Sequence, residues 1–149
     1  MPSLSRLELS KFLPHGNEMC LLSSVEHWDA SSITCLTSTH RDQNNPLRRQ
    51  GLLGMISGLE YAAQAMAVHV GLTTDISEHN SSLGYLGAVR DLQICSRTFQ
   101  QFAEELTIHA SLLLGQRMSF IYTFSMKANE AILLQGRASI FIKRSGPIT

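Results

Sequence analysis

Residues 54–67 read GMISGLEYAAQAMA, and this stretch decides how the rest of the chain is interpreted. It is apolar around most of a helical circumference, which is typical of a helix inside a core rather than on a surface. Glu60 is its one carboxylate, and a glutamate is rarely buried completely unless it is paired or functional. The pattern predicts a buried central helix that runs to about Val70 and stops near Gly71, with Glu60 as the residue to explain.

The composition favours one folded unit. Of the 149 residues 44% are hydrophobic, which is enough for a sizeable core, and we expect a single domain over residues 1–149. Twelve basic residues balance 12 acidic ones, so no net positive field attracts nucleic acid or an anionic membrane. The chain shows no signal-like apolar segment at its start and no run long enough to span a bilayer. We therefore expect a soluble, cytoplasmic protein.

The order of the predicted elements indicates a sheet folded around the central helix. A short helical segment precedes Pro14, and the two strands that follow it, joined by a turn at Asp29, cover residues 19–25 and 31–40. Strict alternation of apolar and polar residues after the helix marks further strands at 106–114, 120–126 and 134–142. The prediction is an α+β architecture with about four antiparallel strands after the helix. Its exposed edge strands favour dimerisation edge to edge.

The cysteines show no paired spacing. Cys20, Cys35 and Cys95 are odd in number and far apart, so we expect free, buried thiols rather than disulfides. No His-x-x-x-His or Cys-x-x-Cys spacing occurs, and the sequence predicts neither a metal site nor a cofactor.

Four short motifs resemble those of one known family. They are the LPHG of residues 13–16, the NPL of 45–47, the EYAAQA of 60–65 and the GYLGAVR of 84–90. In this order they resemble the Leu-Pro-His-Arg opening, the Glu-Pro-Phe before the active-site loop, the Glu-Ala-Met-Ala-Gln-Ala helix and the following strand of the 3-hydroxyacyl-acyl-carrier-protein dehydratases. These enzymes have the hot-dog fold, in which an antiparallel sheet wraps around one long helix. The NPLR and EYAAQAMA motifs together are similar to a divergent subgroup associated with aryl-polyene and related lipid pathways.

The resemblance implies a catalytic role for Glu60. Dehydration of a 3-hydroxyacyl thioester needs a base beside the carbonyl and an acid that protonates the departing hydroxyl. The resemblance assigns the second task to the helix carboxylate, although a structural Glu60 satisfied by the backbone or by Gln64 is the alternative. The family's base is a histidine in a Gly-His-Phe-Pro-Gly loop, and here the loop reads RRQGLLG without a histidine.

The base must therefore be another histidine or be missing. His40 is the nearest one upstream of the helix and the first candidate, acting in its own subunit or across to a partner, while a role at the surface is the alternative. His15 and His69 are interpreted as structural, the latter favourably placed near the negative end of the helix dipole. No chemistry is assigned to the remaining three, His27, His79 and His109.

The remaining site residues follow from their place on the helix. A backbone N–H of Gly54, Met55 or Ile56 is predicted to stabilise the thioester oxygen, because the amides at a helix start are free. Gln64, one turn beyond Glu60, is a candidate to hold it in place, with ordinary helix packing as the alternative. An apolar tunnel for the acyl chain is expected between helix and sheet, lined by residues such as Leu59, Ala63 and Met66.

The expected partner is an acyl carrier protein with its phosphopantetheine-linked acyl chain. Arg48 and Arg49 flank the predicted site entrance and are candidates to dock this acidic protein, although a solvated face is the simpler interpretation. The hypothesis is a dehydratase that acts as a homodimer or higher oligomer. Two alternatives stay open: a hot-dog acyl-thioester hydrolase, and a silent subunit that binds carrier protein or pairs with an active dehydratase in a hetero-oligomer.

Overall fold

The computed structural model describes residues 3–13, 19–74, 82–99 and 101–144. The helices are α1 (Arg6–Ser10) and α2 (Gly58–Thr73), and single 3-10 turns lie at Thr39–Arg41 and Met55–Ser57. The strands are β1 (Ser24–Trp28), β2 (Ser32–Thr37), β3 (Ser82–Ile94), β4 (Leu106–Gln116), β5 (Ser119–Ala128) and β6 (Ala131–Arg144). They form one antiparallel sheet in the order β1-β2-β4-β5-β6-β3, which wraps around α2. The α+β prediction and the four strands after the central helix are confirmed.

Alternating side chains fix which face of the sheet meets the helix. Along β5 every second residue is buried, from Phe120 to Ala128, and the intervening ones are partly exposed. The buried set faces α2, because successive side chains of a strand point to opposite faces. The core therefore lies between α2 and the inner face of the sheet.

Two glycines let α2 lie close to its neighbours. A Cβ added at Gly58 would lie 2.8 Å from Cδ2 of Leu134 on β6, so glycine allows the start of the helix to approach the sheet. Gly71 was predicted to end the helix, but α2 continues to Thr73. A Cβ at Gly71 would collide with the ring of Phe12, so this glycine makes room for the N-terminal segment and does not act as a stop.

The strands before α2 are shorter than predicted. β1 begins at Ser24 rather than at residue 19, and β2 ends at Thr37, so His40 lies in the 3-10 turn that follows. The turn between them forms as expected, because the Asp29 carboxylate accepts hydrogen bonds from the N–H groups of Ser31 and Ser32. Residues 19–22 lie beside α2 instead of pairing in the sheet. The side chain of Gln64 on α2 forms hydrogen bonds with their backbone.

The two edges of the sheet differ. The β1 edge is covered by Leu4, whose N–H and C=O both bond to Val25 at 3.0 and 2.9 Å. Within the described ranges no strand covers the outer side of β3, which is irregular, with two register shifts and Asp91 in the left-handed region at φ 55°. An uncovered edge of this length offers backbone groups to another chain.

Two smaller expectations concern the thiols and membranes. All three cysteines are free; Cys20 and Cys35 are buried as expected, but Cys95 is exposed because it follows the end of edge strand β3. In the described part of the chain, no helix has the length and apolar character needed to cross a bilayer.

Candidate functional site

Glu60 lies in the first turn of α2, and its side chain is exposed in the single chain. The expectation of a buried carboxylate was wrong. The residues that face the sheet are Gly58, Tyr61, Ala62, Ala65, Met66, Val68, His69 and Val70. Glu60 lies on the opposite side with Ala63 and Ala67, which are only partly buried. Ala63 and Ala67 made this side of the helix look apolar in the sequence. Their side chains have so little apolar surface that leaving them partly exposed costs little free energy.

Gln64 does not hold Glu60. Its Oε1 accepts a hydrogen bond from the Leu21 N–H at 2.8 Å, and its Nε2 donates to the Met19 carbonyl at 2.8 Å. Both contacts join α2 to the segment before β1, so the predicted bond to Glu60 is replaced by two bonds to backbone. Gln64 thus fixes residues 19–21 beside the outward-facing side of α2.

Tyr61 fixes the loop of residues 39–45 on the other side of Glu60, a role that was not predicted from the sequence. Its buried hydroxyl lies 2.8 Å from the Thr39 hydroxyl and accepts a hydrogen bond from Asn45 Nδ2 at 2.8 Å. Asn45 also donates to the Thr39 carbonyl, and the Thr39 hydroxyl reaches the Leu21 carbonyl at 2.6 Å. The network therefore joins the residue after Glu60 to the residue before His40. The NPL motif, which contains Asn45, was the feature of the sequence that could have pointed to this network.

His40 is buried within this part of the molecule. Its Nε2 lies 2.8 Å from the Phe102 carbonyl, which can only accept, so Nε2 carries the proton and Nδ1 carries the lone pair in the neutral ring. Nδ1 is buried without a hydrogen-bond partner, and the ring stacks on Phe99 with centroids 6.4 Å apart. Burial lowers the pKa of His40 below its ordinary 6.5, although hydrogen bonding to Phe102 and the nearby Glu104 opposes this shift. The ring is therefore neutral at pH 7.

The structure does not bring His40 and Glu60 into contact. No hydrogen bond or ion pair joins them in the described part of the chain: His40 contacts Phe99 and Phe102, whereas Glu60 is directed outward. Phe99 lies between the two sides of the site, stacked on His40 and edge-on to Tyr61 at 5.4 Å. A single copy thus presents the two predicted catalytic groups separately.

His69 is structural, in keeping with its interpretation from the sequence. Its Nε2 donates to the Asp29 carbonyl at 2.8 Å, and its Nδ1 accepts from the Tyr122 hydroxyl at 2.6 Å. Burial lowers the pKa of His69, so this ring is also neutral at pH 7.

The other histidines add no catalytic arrangement. His27 and His109 lie on the outer side of the sheet, on either side of the Thr34 hydroxyl. His15 and His79 lie outside the described residues. Within the described ranges, no three His, Cys, Asp or Glu side chains are grouped to hold a metal ion.

The start of α2 restricts which backbone amide can serve a thioester oxygen. The Met55 N–H donates to the Arg97 carbonyl at 2.8 Å, which removes Met55 from the three candidates. Gly54 and Ile56 remain. Ser57 caps α2 without a side-chain hydrogen bond, so no side chain of its own competes for the first amides. The adjacent Ile56 side chain is 61% exposed.

Arg48 has a structural role rather than the predicted place on an open rim. Its guanidinium donates to the carbonyls of Asp42, His40 and Gly51 at 2.7–3.0 Å and so holds the loop between β2 and α2 in shape. Arg49 is exposed, and its Nη1 bonds only to the nearby carbonyls of Pro46 and Arg48. Arg49 is therefore the more accessible of the pair, and its Nε and Nη2 have no hydrogen bond among the described residues.

Comparison with a protein family identifies the chain. The family model described as ApeP-like, ApeP dehydratase, matches residues 7–145. The chain belongs to the ApeP-like dehydratase family. No curated protein sequence matches this ApeP-like chain significantly.

Solved structures place the ApeP-like chain among hot-dog proteins. The dehydratase heterocomplex ApeI:P from Xenorhabdus doucetiae matches with a TM-score of 0.80 and 25% identity over 91% of each chain. A mutant thioesterase from Pseudomonas aeruginosa matches with a TM-score of 0.66 and 16% identity over 97% of this chain and 96% of that one. A putative thioesterase from Silicibacter matches with the same TM-score and 17% identity, over 94% and 92%. The last two establish the fold alone, and the hot-dog prediction is confirmed.

Proposed function

We propose that this ApeP-like chain dehydrates a 3-hydroxyacyl group carried by an acyl carrier protein, and that it does so in an assembly with a second hot-dog chain. The observation that carries the proposal is the position of Glu60. Glu60, the carboxylate at the helix position of the dehydratase motif, is exposed. It lies between residues 39–45, which Tyr61 holds in place, and residues 19–21, which Gln64 holds in place. Covering an active site expels water and strengthens the electrostatic interactions inside it, which a partner chain seated over Glu60 would supply.

The surface around Glu60 and the edge of the sheet support an assembly. Leu52 and Ile56 are 54% and 61% exposed beside the start of α2, and the β3 edge is uncovered in the described part of the chain. Burial of apolar side chains and pairing of an open edge both favour association. The related structure from Xenorhabdus doucetiae is a heterocomplex. The partner is therefore a different hot-dog chain, with a homodimer as the alternative.

The reaction divides its proton transfers between two groups. A base removes the proton beside the thioester carbonyl, the electron pair forms the trans-2 double bond, and the hydroxyl leaves as water with a proton from Glu60. His40 suits the base in chemical state, because its neutral ring keeps an unpaired Nδ1 lone pair. Because His40 is buried against Phe99 and Phe102, it serves only if the substrate reaches its Nδ1; otherwise the partner supplies the base.

Other groups of the proposed site bind and orient the substrate. The backbone amides of Gly54 and Ile56, at the 3-10 turn that leads into α2, stabilise charge on the thioester oxygen. Leu59 and Ala63, both partly buried, line the path of the acyl chain. Arg49 contributes to docking the acidic carrier protein.

Incubation with a 3-hydroxyacyl carrier protein tests the proposal, with the ApeP-like chain alone and mixed with a second hot-dog subunit. Mass spectrometry follows the loss of water from the acyl group, and a thiol reagent follows hydrolysis. We expect enoyl product in the mixture and at most a low rate for the chain alone. Absence of enoyl product in both samples would reject the proposed reaction.

Hydrolysis of the thioester is the second candidate. Among the described residues Glu60 has no imidazole partner, which suits a hydrolase in which the carboxylate itself activates water or attacks the carbonyl. Release of free thiol without enoyl product would identify this activity.

If neither product forms with the chain alone, the silent-subunit alternative is tested in the mixture. In that case the Glu60→Gln substitution would leave the activity of the mixture unchanged.

A further inference from the structure

A second concavity lies on the outer side of the sheet, away from α2. It has a volume of about 320 Å³ and is lined by outward-facing residues of β3, β5 and β6. Arg90 of β3 lies directly opposite Arg137 of β6 in the antiparallel register, so both guanidinium groups share this face. None of the residues proposed for the dehydratase site lines it.

The charges at this concavity are not balanced. Like charges on directly opposite residues of neighbouring strands repel one another. Arg137 is compensated, because its Nε and Nη2 donate to Asp91 Oδ2 at 3.1 and 2.6 Å. Arg90 lines the concavity without a hydrogen bond or ion pair in the described part of the chain. Two guanidinium groups and one carboxylate leave a single positive charge, which a monoanion would neutralise.

The walls between these charges are largely apolar. Ala88, Ile121 and Phe141 contribute the apolar surface, and Phe141 is 47% exposed. The Ser139 hydroxyl accepts a hydrogen bond from the Ala88 N–H at 2.9 Å, so its own proton remains available to an acceptor. An occupant that matches these groups carries one negative charge on an apolar body.

We propose that this concavity binds a monocarboxylate with an apolar chain, with its carboxylate on Arg90 and its chain against Ile121 and Phe141. A guanidinium can bind a carboxylate through two parallel N–H donors, and the neighbouring Arg137 already directs two donors to one oxygen of Asp91. A second copy of the same surface is a poorer occupant, since it would bring further uncompensated arginines to the same place. The site is independent of the proposed dehydratase reaction.

Isothermal titration of the full chain with octanoate, octan-1-ol and inorganic phosphate tests the site. We expect saturable binding of octanoate, much weaker binding of the neutral alcohol and none of phosphate at the same concentration. Arg90→Gln is expected to weaken octanoate binding by about 10-fold or more, because a charge-assisted bidentate contact is lost. Arg97→Gln is the matched control; Arg97 is exposed and does not line the concavity, and its substitution leaves affinity unchanged.

Ser119→Asp provides a second test that does not depend on Arg90. It places a carboxylate in the wall of the concavity and is expected to weaken octanoate binding by a similar factor. Thermal unfolding checks that both variants remain folded. Equal octanoate affinity in Arg90→Gln and the original chain would overturn the proposal, because the fatty acid would then occupy another cavity such as the acyl path near Glu60. Equal affinity for octan-1-ol, or no saturable binding of octanoate, would also overturn it.

Discussion

The two ends of α2 differ in how completely a single chain satisfies them. At the C-terminal end both nitrogens of His69 are hydrogen-bonded, and the hydroxyls of Thr73 and Thr74 bond to the carbonyls of His69 and Val70. At the N-terminal end Ser57 provides no side-chain cap and Glu60 is exposed. The helix residues at the first end are satisfied within the chain, although Trp28 Nε1 beside Asp29 is buried without a partner. The Glu60 side chain at the second end, in contrast, has no bonded partner among the described residues.

The two buried histidines show the same difference. His69 and His40 are both fully buried, but only His40 keeps a nitrogen without a hydrogen-bond partner. A buried polar group without a partner costs roughly 1–3 kcal/mol. Such a cost is tolerated where a group acts on a substrate, although Trp28 Nε1 carries the same cost away from the proposed site. The comparison supports the proposal that the chemistry takes place at the N-terminal end of α2.

The largest expected effect is on activity at the open end. Glu60→Gln removes the proton donor and should lower the rate of water loss in the assembled enzyme by about 10²–10⁴-fold. Its melting temperature should stay nearly unchanged, because the side chain is exposed. Glu130→Gln, at the exposed turn between β5 and β6, is the matched control and should leave the rate unchanged. Initial rates with carrier-bound substrate decide the result, and a fully active Glu60→Gln enzyme would contradict the assignment.

The next effect compares the stability contributed by the two histidines. His69→Ala loses two hydrogen bonds and leaves a cavity, and should lower the free energy of unfolding by about 3–4 kcal/mol. His40→Ala should cost about 1 kcal/mol less, since only one of its nitrogens is bonded. Urea unfolding of both variants measures the difference. A larger loss in His40→Ala would mean that the loop region is as completely satisfied as the far end of the helix.

Two tyrosine variants sharpen the comparison further. Tyr61→Phe and Tyr122→Phe each remove one buried hydroxyl, and each should cost about 1–2 kcal/mol. Only Tyr61→Phe should lower kcat, because its hydroxyl fixes the loop beside Glu60. Rates measured well below both melting temperatures separate the two effects. Equal kcat in the two variants would show that the Tyr61 network is purely structural.

Stability should also depend on pH through the buried histidines. Burial lowers the folded-state pKa values of His40, His69 and His109 below 6.5, so the unfolded chain takes up protons first as the pH falls. Their contribution is present above pH 6.5 and is lost as the pH falls below that value, at up to about 1.4 kcal/mol per pH unit for each proton. Denaturant unfolding between pH 7.5 and roughly 5, the range in which histidines titrate, gives the slope. His69→Gln should flatten it, and an unchanged slope would contradict the assignment.

The smallest expected effect concerns the surface beside Glu60. Ile56→Ser should change the free energy of unfolding of the single chain by less than about 0.5 kcal/mol, because Ile56 is 61% exposed. It should nevertheless weaken association with a second hot-dog chain in analytical ultracentrifugation. Leu113→Ser, at another exposed apolar residue on the outer side of β4, is the control. Equal association of both variants would remove Ile56 from the proposed interface.

Much of the fold could be predicted because it follows from local patterns. Alternation over residues 106–142 located three strands, since side chains of period two must face opposite sides of a sheet. The apolar composition of residues 54–67 located the central helix, because a helix that is apolar around most of its circumference belongs in a core. The ends of these elements were less predictable: Gly71 makes room for Phe12, a contact that depends on a segment 59 positions away in the chain.

The sequence by itself determined the strands, the central helix and the family motif that contains Glu60. Only the tertiary structure decided which side of the helix faces outward, which donors Gln64 and Arg48 have already used, and which histidine keeps a free nitrogen. The physical reason is how far apart along the chain the interacting residues are. Periodicity is set by neighbouring residues, whereas hydrogen-bond partners such as Gln64 and Leu21 are 43 positions apart and meet only when the sheet closes around the helix.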